Sequence, residues 1–161
     1  MKVEGNILEK GVLYVVGTPI GNLSDLSPRA IKVLSEVDFV AAEDTRNSGL
    51  LLSRFDISKP MVSYFEHNKR ERGEIIVERI LAGESCALVT DAGTPAISDP
   101  GEDIVALCAE RGVPVTSIPG ACAAVTALSV SGLPAGRVVL EGFITTVKND
   151  RRERLLELSA E

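Results

Sequence analysis

The chain has 161 residues and a formal net charge of −6, which is enough length for one domain with a proper core or for one domain plus part of a second. Apolar residues make up 45% and charged residues 25%, a composition that argues against a disordered chain. It contains one histidine, three cysteines and no apolar run near the ~20 residues of a membrane span. We therefore expect a cytoplasmic protein with reduced thiols, no metal and no membrane partner.

Short apolar runs alternate with helical patterns along the chain. Runs bounded by Gly, Pro or polar residues predict buried strands at residues 11–17, 39–42, 61–65, 86–89 and 113–118. Apolar residues at helical spacing predict helices at residues 28–37, 50–55, 70–81, 102–111 and 123–131. The alternation predicts an α/β fold with a mainly parallel five-stranded sheet flanked by helices. The helix at 123–131 consists of small apolar residues, so we expect it to pack closely against the sheet.

A Gly/Pro cluster at residues 132–136 is the best candidate linker. After it the apolar pattern restarts at residues 137–143, and a charged helix begins near residue 150. About 25 residues cannot bury a core of their own. We therefore predict an N-terminal extension at residues 1–10, a domain over residues 11–134, and over residues 135–161 a linker with the start of a truncated second α/β domain.

Three loops rich in Gly and Pro follow the first, fourth and fifth predicted strands, at residues 18–23, 90–101 and 119–122. Gly permits positive φ and Pro fixes φ near −65°, so such loops hold defined shapes. The carboxyl ends of parallel strands share one edge of the sheet, where ligands bind in open α/β folds. The loops predict a backbone-lined pocket for a neutral or zwitterionic cofactor, but the tight turns of any α/β fold are an equally good interpretation.

Phosphate-binding motifs are absent from the sequence. Gly17 and Gly21 have the spacing G-x-x-x-G rather than G-x-G-x-x-G, and no G-x-x-x-x-G-K-[ST] occurs. The nucleophile elbow G-x-S-x-G is missing as well. These absences argue against dinucleotide-dependent enzymes, nucleoside triphosphatases and α/β hydrolases.

Polar clusters follow the second and third predicted strands, at residues 43–47 and 66–70. A carboxylate or imidazole at this rim can take a proton from a substrate hydroxyl, and Asp44 and His67 are the candidates. Arg46 and Lys69 are suited to holding phosphate. For His67, a solvated loop residue is an equally good interpretation.

Four motifs occur together in the chain: VGTPIGNL at residues 16–23, AEDTR at 42–46, TDAGTPAISDPG at 90–101 and IPGA at 118–121. In this order and spacing they closely resemble the tetrapyrrole methylase superfamily, and within it the ribosomal RNA small-subunit methyltransferase I group. The resemblance covers the chain from Gly11 onward. It implies two α/β domains with S-adenosylmethionine in the cleft between them, a homodimer, and methylation of a cytidine ribose 2′-hydroxyl in small-subunit ribosomal RNA.

The same resemblance implies that all three loops line the cofactor, through Pro19, Ile20, Gly93, Thr94, Pro95, Ile97, Ser98, Asp99, Gly120 and Ala121. Thr94 stands where the wider superfamily usually has Asp. Asp44 and His67 are then candidate catalytic bases, and Arg46, Asn68 and Lys69 candidate RNA contacts. A basic run of Lys148, Arg151, Arg152 and Arg154 predicts a further phosphate contact or, equally, a solvated helix face.

Two other functions remain open from the sequence. A methylase of the same fold acting on a small tetrapyrrole is the nearest alternative, and a non-catalytic binding module is the alternative from another class. Because the resemblance places the cofactor between two domains, we also expect the 161-residue chain alone to bind the cofactor weakly or not at all.

Overall fold

The computed structural model describes residues 8–160, so most of the predicted N-terminal extension lies outside the described residues. Five strands form one sheet in the order β3-β2-β4-β1-β5, and every pair is parallel. They are β1 (Leu13–Val16), β2 (Phe39–Ala42), β3 (Met61–Ser63), β4 (Cys86–Val89) and β5 (Val115–Ile118). The predicted parallel five-stranded α/β sheet is confirmed.

Six helices lie in the described part of the chain, and the first four of them cover the two faces of the sheet. They are α1 (Pro28–Glu36), α2 (Thr45–Ser53), α3 (Lys69–Leu81), α4 (Gly101–Glu110), α5 (Ala123–Val130) and α6 (Lys148–Leu158), with a short 3₁₀ turn at Leu23–Asp25. One buried cluster joins the sheet to α1 and α2, and the other joins it to α3 and α4. Strands β1, β2 and β4 are buried along their whole length because both faces are covered.

Helix starts follow local capping chemistry. The Ser27 hydroxyl accepts a hydrogen bond from the Ala30 N–H at 3.1 Å, and Pro28 occupies the first helical position, as predicted. The prediction for α2 was wrong, because this helix begins five residues before residue 50. The Asp44 carboxylate accepts a hydrogen bond from the Arg46 N–H at 2.8 Å and so caps the start of α2. Most of the polar cluster at 43–47 is therefore a helix start rather than an open loop.

The region after β5 differs from the rest of the described chain. Neither α5 nor α6 has a buried residue, and Val130 of α5 is 81% exposed. The expectation that α5 packs closely against the sheet was wrong. Six of its eight residues are apolar and lie all around the helix, a pattern typical of a helix covered on every side, but no part of residues 8–160 packs over it closely enough to bury any of them. Between α5 and α6, the described chain forms no strand, although an apolar pattern restarts there.

Candidate active site

The loops after β1 and β4 are hydrogen-bonded to each other at the carboxyl edge of the sheet. Thr18 N–H donates to the Gly93 carbonyl at 2.8 Å, and Gly93 N–H donates to the Thr18 carbonyl at 3.2 Å. The buried Thr18 hydroxyl also donates to the Thr90 carbonyl at 3.1 Å. Because β1 and β4 are neighbours in the sheet, these bonds join the two loops directly where the strands end.

The loop after β5 meets the other two by direct backbone contact. A Cβ atom on Gly17 would lie 2.8 Å from the Gly120 Cα, and one on Gly120 would lie 2.8 Å from Gly17 Cα. Real Cβ atoms do not approach backbone so closely, so this contact requires glycine on both sides. The Thr94 hydroxyl donates to the Ala121 carbonyl at 3.1 Å. The convergence of the three loops is thus confirmed.

The loop after β4 is held in a strained shape. Ala96 and Ser98 adopt positive φ angles of 63° and 60°, a region that residues with a Cβ rarely occupy. The Asp99 carboxylate accepts from the N–H groups of Ala96 and Gly101, at 3.0 and 2.7 Å. Glu102 accepts from the Ser98 N–H at 2.8 Å. Strain of this kind persists only where the surroundings enforce it, and it concentrates at binding sites.

The surface that remains at this junction is apolar and backbone-lined. Ile97 is 50% exposed, and Ile20 lies over Gly93, with its Cγ2 3.5 Å from the position of a Cβ there. Asp99 is the one charged residue among the ten predicted cofactor contacts, and its carboxylate is already hydrogen-bonded within the loop. Residues 8–160 contain no group of three or more His, Cys, Asp or Glu placed to hold a metal ion. The junction suits an organic ligand with polar groups that pair with backbone.

The side chains after β2 are engaged in local structure. Arg46 donates to both carboxylate oxygens of Asp44, at 3.2 and 2.8 Å. This pairing, with the capping bond, lowers the pKa of Asp44 to about 2. A carboxylate with so low a pKa is a weak proton acceptor near neutral pH. Arg46 is 88% exposed in its side chain and remains accessible beyond this pair.

Two of the side chains after β3 are also engaged in local structure, and His67 is not. Asn68 closes the turn before α3, because its side chain accepts from Phe65 N–H at 2.8 Å and donates to the Ser63 carbonyl at 3.1 Å. Lys69 forms ion pairs with Glu66 and Asp103 at 2.8 and 2.7 Å. His67 is exposed, and within the described chain it makes only an edge-on ring contact with Phe65. Neither ring nitrogen of His67 forms a hydrogen bond within residues 8–160.

Three contacts that the sequence did not predict reach the loop after β4, two from the cluster after β2 and one from the end of β3. Thr90 donates to the Glu43 carboxylate at 2.7 Å, and Asn47 donates to Asp91 at 3.0 Å. From the end of β3, the buried Tyr64 donates its hydroxyl to the Pro100 carbonyl at 2.9 Å. Burial raises the pKa of Tyr64 well above its usual value, with a further contribution from Asp103, so this phenol stays protonated. In the sequence, only a tyrosine at the end of the third strand could have indicated such contacts.

Comparison with known families places the chain among methylases. The family model for Tetrapyrrole (Corrin/Porphyrin) Methylases matches residues 12–161. A protein of Synechocystis sp. named ribosomal RNA small subunit methyltransferase I is 50% identical over 151 residues, which are 94% of this chain and 54% of that protein. A protein of the same name from Haemophilus influenzae is 48% identical over 151 residues, 94% of this chain and 53% of the relative. The chain therefore spans about half the length of these relatives.

Solved structures show the same fold. A uroporphyrin-III-C-methyltransferase from Thermus thermophilus matches with a TM-score of 0.59 and 24% identity, over 79% of this chain and 54% of that one. A cobalt precorrin-4 methyltransferase matches with a TM-score of 0.59 and 18% identity, over 83% of this chain and 55% of that one. With the family model covering nearly all of the described residues, the chain belongs to the tetrapyrrole (corrin/porphyrin) methylase family.

Proposed function

We propose that this chain carries the N-terminal half of an S-adenosylmethionine-dependent methyltransferase that acts on a cytidine ribose 2′-hydroxyl in small-subunit ribosomal RNA. The observation that carries the proposal is the backbone-lined junction of three loops, held by the Gly17–Gly120 contact. It occurs in a chain that is 48–50% identical to two proteins named ribosomal RNA small subunit methyltransferase I.

The ten residues predicted to contact the cofactor fall into two roles in this proposal. Thr94 and Asp99 shape the site, since their side chains are hydrogen-bonded to backbone within the loops. The others offer backbone groups or apolar surface: Pro19, Ile20, Gly93, Pro95, Ile97, Ser98, Gly120 and Ala121. Ile97 and Ile20 are the side chains available for apolar contact with an adenosine group, and the lack of free charge suits a zwitterion.

The cofactor, when bound, supplies a methyl group that is already activated by a positively charged sulfur. The protein then has to place the acceptor oxygen in line with the methyl group and exclude water. Correct positioning of two reactants can supply up to ~7–11 kcal/mol of the barrier reduction. The rigid loop junction, with its enforced positive φ angles, is suited to that task.

Proton removal from the 2′-hydroxyl falls to His67 or Asp44 in this proposal. A positioned base typically contributes about 10²–10⁴-fold. The lowered pKa of Asp44 favours His67 for this step and a helix-capping role for Asp44. Arg46, Asn68 and Lys69 remain the proposed RNA contacts at this rim; Asn68 acts there through the turn that it closes.

The remaining proposals concern the assembly. A second α/β domain, of which residues 135–161 are the start, would form the opposite wall of the cofactor cleft. We further propose that the complete protein is a homodimer and works in the cytoplasm on ribosomal RNA. None of the described helices is long and apolar enough to cross a bilayer.

A chimera tests the proposal directly. The 151 residues of this chain that match the Synechocystis relative would replace the matching part of that protein, and the rest of the relative stays in place. The chimera is then incubated with unmethylated small ribosomal subunits and labelled S-adenosylmethionine. We expect one methyl group on a cytidine 2′-oxygen, and a His67→Ala chimera with kcat reduced by about 10²-fold or more.

Three outcomes would contradict the proposal or part of it. Methylation of a uroporphyrinogen or precorrin in place of RNA would favour the tetrapyrrole alternative. A folded chimera that binds no S-adenosylmethionine by calorimetry would favour a non-catalytic binding module. Full activity in the His67→Ala chimera would remove His67 as the base, and Asp44→Ala serves the same purpose for Asp44.

A further inference from the structure

Helix α6 has a charge distribution that sets it apart from an ordinary solvated helix. Successive residues of a helix are rotated by about 100° around its axis. One face of α6 is therefore formed by positions 148, 151, 152, 155, 156 and 159. That face carries three cations and two exposed leucines, and together these residues line a shallow groove: Lys148, Arg151, Arg152, Leu155, Leu156 and Ser159. The acidic residues Asp150, Glu153 and Glu157 lie on the opposite side.

The three cations of this face have no acidic partner. Within residues 8–160, none of Lys148, Arg151 and Arg152 forms an ion pair or a side-chain hydrogen bond. A solvated helix usually places opposite charges three or four residues apart, where they attract. Here Lys148 and Arg152 are four residues apart with like charge, which destabilises the isolated helix. The arrangement is favourable once an external anion neutralises the face.

Arg154 belongs to the same basic run but has a different role. Its guanidinium donates to Glu141 at 2.7 Å and to Glu157 at 2.7 Å. Glu141 adjoins Gly142, and a Cβ atom on Gly142 would lie 3.4 Å from the Ser98 hydroxyl oxygen. Ser98 belongs to the strained loop of the candidate site. Arg154 therefore connects α6 to the segment that lies against that loop.

We propose that the face formed by Lys148, Arg151 and Arg152 binds the phosphodiester backbone of the RNA substrate beside the candidate site, with Arg154 as the residue that positions α6. This inference rests on the proposed function and adds a contact surface to it. It divides the basic run into three phosphate contacts and one positioning residue. Phosphate contacts fix the register of an RNA strand without reading its sequence, which fits a helix placed next to the loop after β4.

RNA fits this face better than a membrane surface does. Interfacial helices bury a broad apolar face rich in Trp, Phe and Leu. Helix α6 has three leucines in 11 residues, two of them on this face, and it contains no aromatic residue. The ion pair between Arg154 and Glu141 also connects α6 to the candidate site. Such a connection would help to align an RNA substrate with that site, whereas a lipid headgroup has no role there.

The salt dependence of RNA binding tests the proposal on the 161-residue chain. Each phosphate contact to a single strand contributes about 0.7 to the slope of log affinity against log salt concentration. We expect Arg151→Ala/Arg152→Ala to lower that slope by about 1.4 and to weaken binding of a labelled single-stranded RNA oligonucleotide about ten- to thirtyfold at 0.1 M salt. Arg151→Lys/Arg152→Lys keeps both charges and should retain most of the slope.

The matched control is Arg54→Ala/Lys59→Ala. These cations also lack an ion pair within the described residues, but they lie at the amino-terminal edge of the sheet, away from the loops. Their loss should leave the slope within about 0.3 of the original value. An equal effect of the control, an unchanged slope in Arg151→Ala/Arg152→Ala, or no salt-dependent RNA binding by the original chain overturns the proposal. So does tighter binding to phosphatidylserine vesicles than to RNA that depends on the same two arginines.

A second readout separates this inference from the proposed function. In the active chimera, Arg151→Ala/Arg152→Ala should raise KM for the ribosomal substrate at unchanged kcat, because phosphate contacts remote from the reacting atoms add uniform binding. A fall in kcat at unchanged KM would overturn the inference. Absence of methyl transfer by the unmodified chimera would contradict the proposed function, while the RNA-binding slopes would still decide the role of α6.

Discussion

The two halves of the sheet's carboxyl edge are built in different ways. On the side of β1, β4 and β5, loops meet through backbone: two glycines in contact, a pair of backbone hydrogen bonds at Thr18, and positive φ angles at Ala96 and Ser98. On the side of β2 and β3, charged side chains form the edge, and most of them cap helices or pair with one another. The first half is a wall of backbone, and the second is a rim of charged side chains.

This difference indicates how the two halves divide the work. A wall of backbone has a fixed shape because its position depends on the sheet itself. A rim of exposed ion pairs rearranges at little cost, since surface pairs contribute ~0–1 kcal/mol each. The wall therefore suits a small ligand that must be held in one geometry. The rim suits a larger partner, such as an RNA strand, whose phosphates can replace the carboxylates.

The largest expected effect concerns the wall. Gly17→Ala or Gly120→Ala places a Cβ 2.8 Å from backbone atoms, and no side-chain rotation relieves that overlap. We expect the free energy of unfolding to fall by about 2–3 kcal/mol in urea denaturation. Gly136→Ala is the matched control, because nothing lies within 4 Å of its Cβ position, and it should change stability by less than about 0.5 kcal/mol. Equal effects at Gly17 and Gly136 would mean that the loops do not touch.

A smaller effect concerns the rim and depends on pH. The folded pKa of Asp44 is about 2, against an ordinary value of 3.8. A depressed pKa stabilises the fold above the ordinary value, and that stabilisation is lost as the pH falls toward the folded pKa. Asp44→Asn keeps a capping oxygen but does not titrate. We expect the stability difference between the original chain and Asp44→Asn to be constant above about pH 5 and to shrink between about pH 4 and pH 2.

Urea denaturation at a series of pH values measures this difference. Asp56→Asn is a suitable control, because Asp56 forms no ion pair within the described residues and Asn accepts its positive φ of 56°. A stability difference for Asp44→Asn that stays the same down to pH 2 would show that the pair with Arg46 does not form in solution.

Much of the wall could be predicted from the sequence because its constraints are local. Apolar runs, Gly and Pro act on the backbone of their own segment, so the strands, their mainly parallel arrangement and the three loops followed from short stretches. The helix start at Ser27 and Pro28 is of the same kind. The family motifs then indicated which of several α/β folds these segments form, and the family model confirms it.

The side-chain contacts of the rim could not be predicted in the same way, because they depend on which residues the fold brings close together. Asp44 was a candidate base, yet its carboxylate caps α2 and pairs with Arg46. Lys69 pairs with Asp103, 34 residues further along the chain. The face of α6 is a related case. The sequence shows a basic run, and only the helix geometry separates Arg154 from the three cations that have no acidic partner within residues 8–160. The small apolar residues of α5 likewise gave no sign that the helix would stay exposed.

We propose that the loops after β1, β4 and β5 form one wall of an S-adenosylmethionine site. An NMR titration of the ¹⁵N-labelled 161-residue chain with S-adenosylmethionine tests it most directly, because backbone amides report even weak binding. We predict millimolar affinity, with chemical-shift changes concentrated at Ile20, Gly93, Ile97, Gly120 and their neighbours. Chemical-shift changes confined to residues 66–70 would contradict the proposal. Submicromolar binding would show that the site needs no second wall.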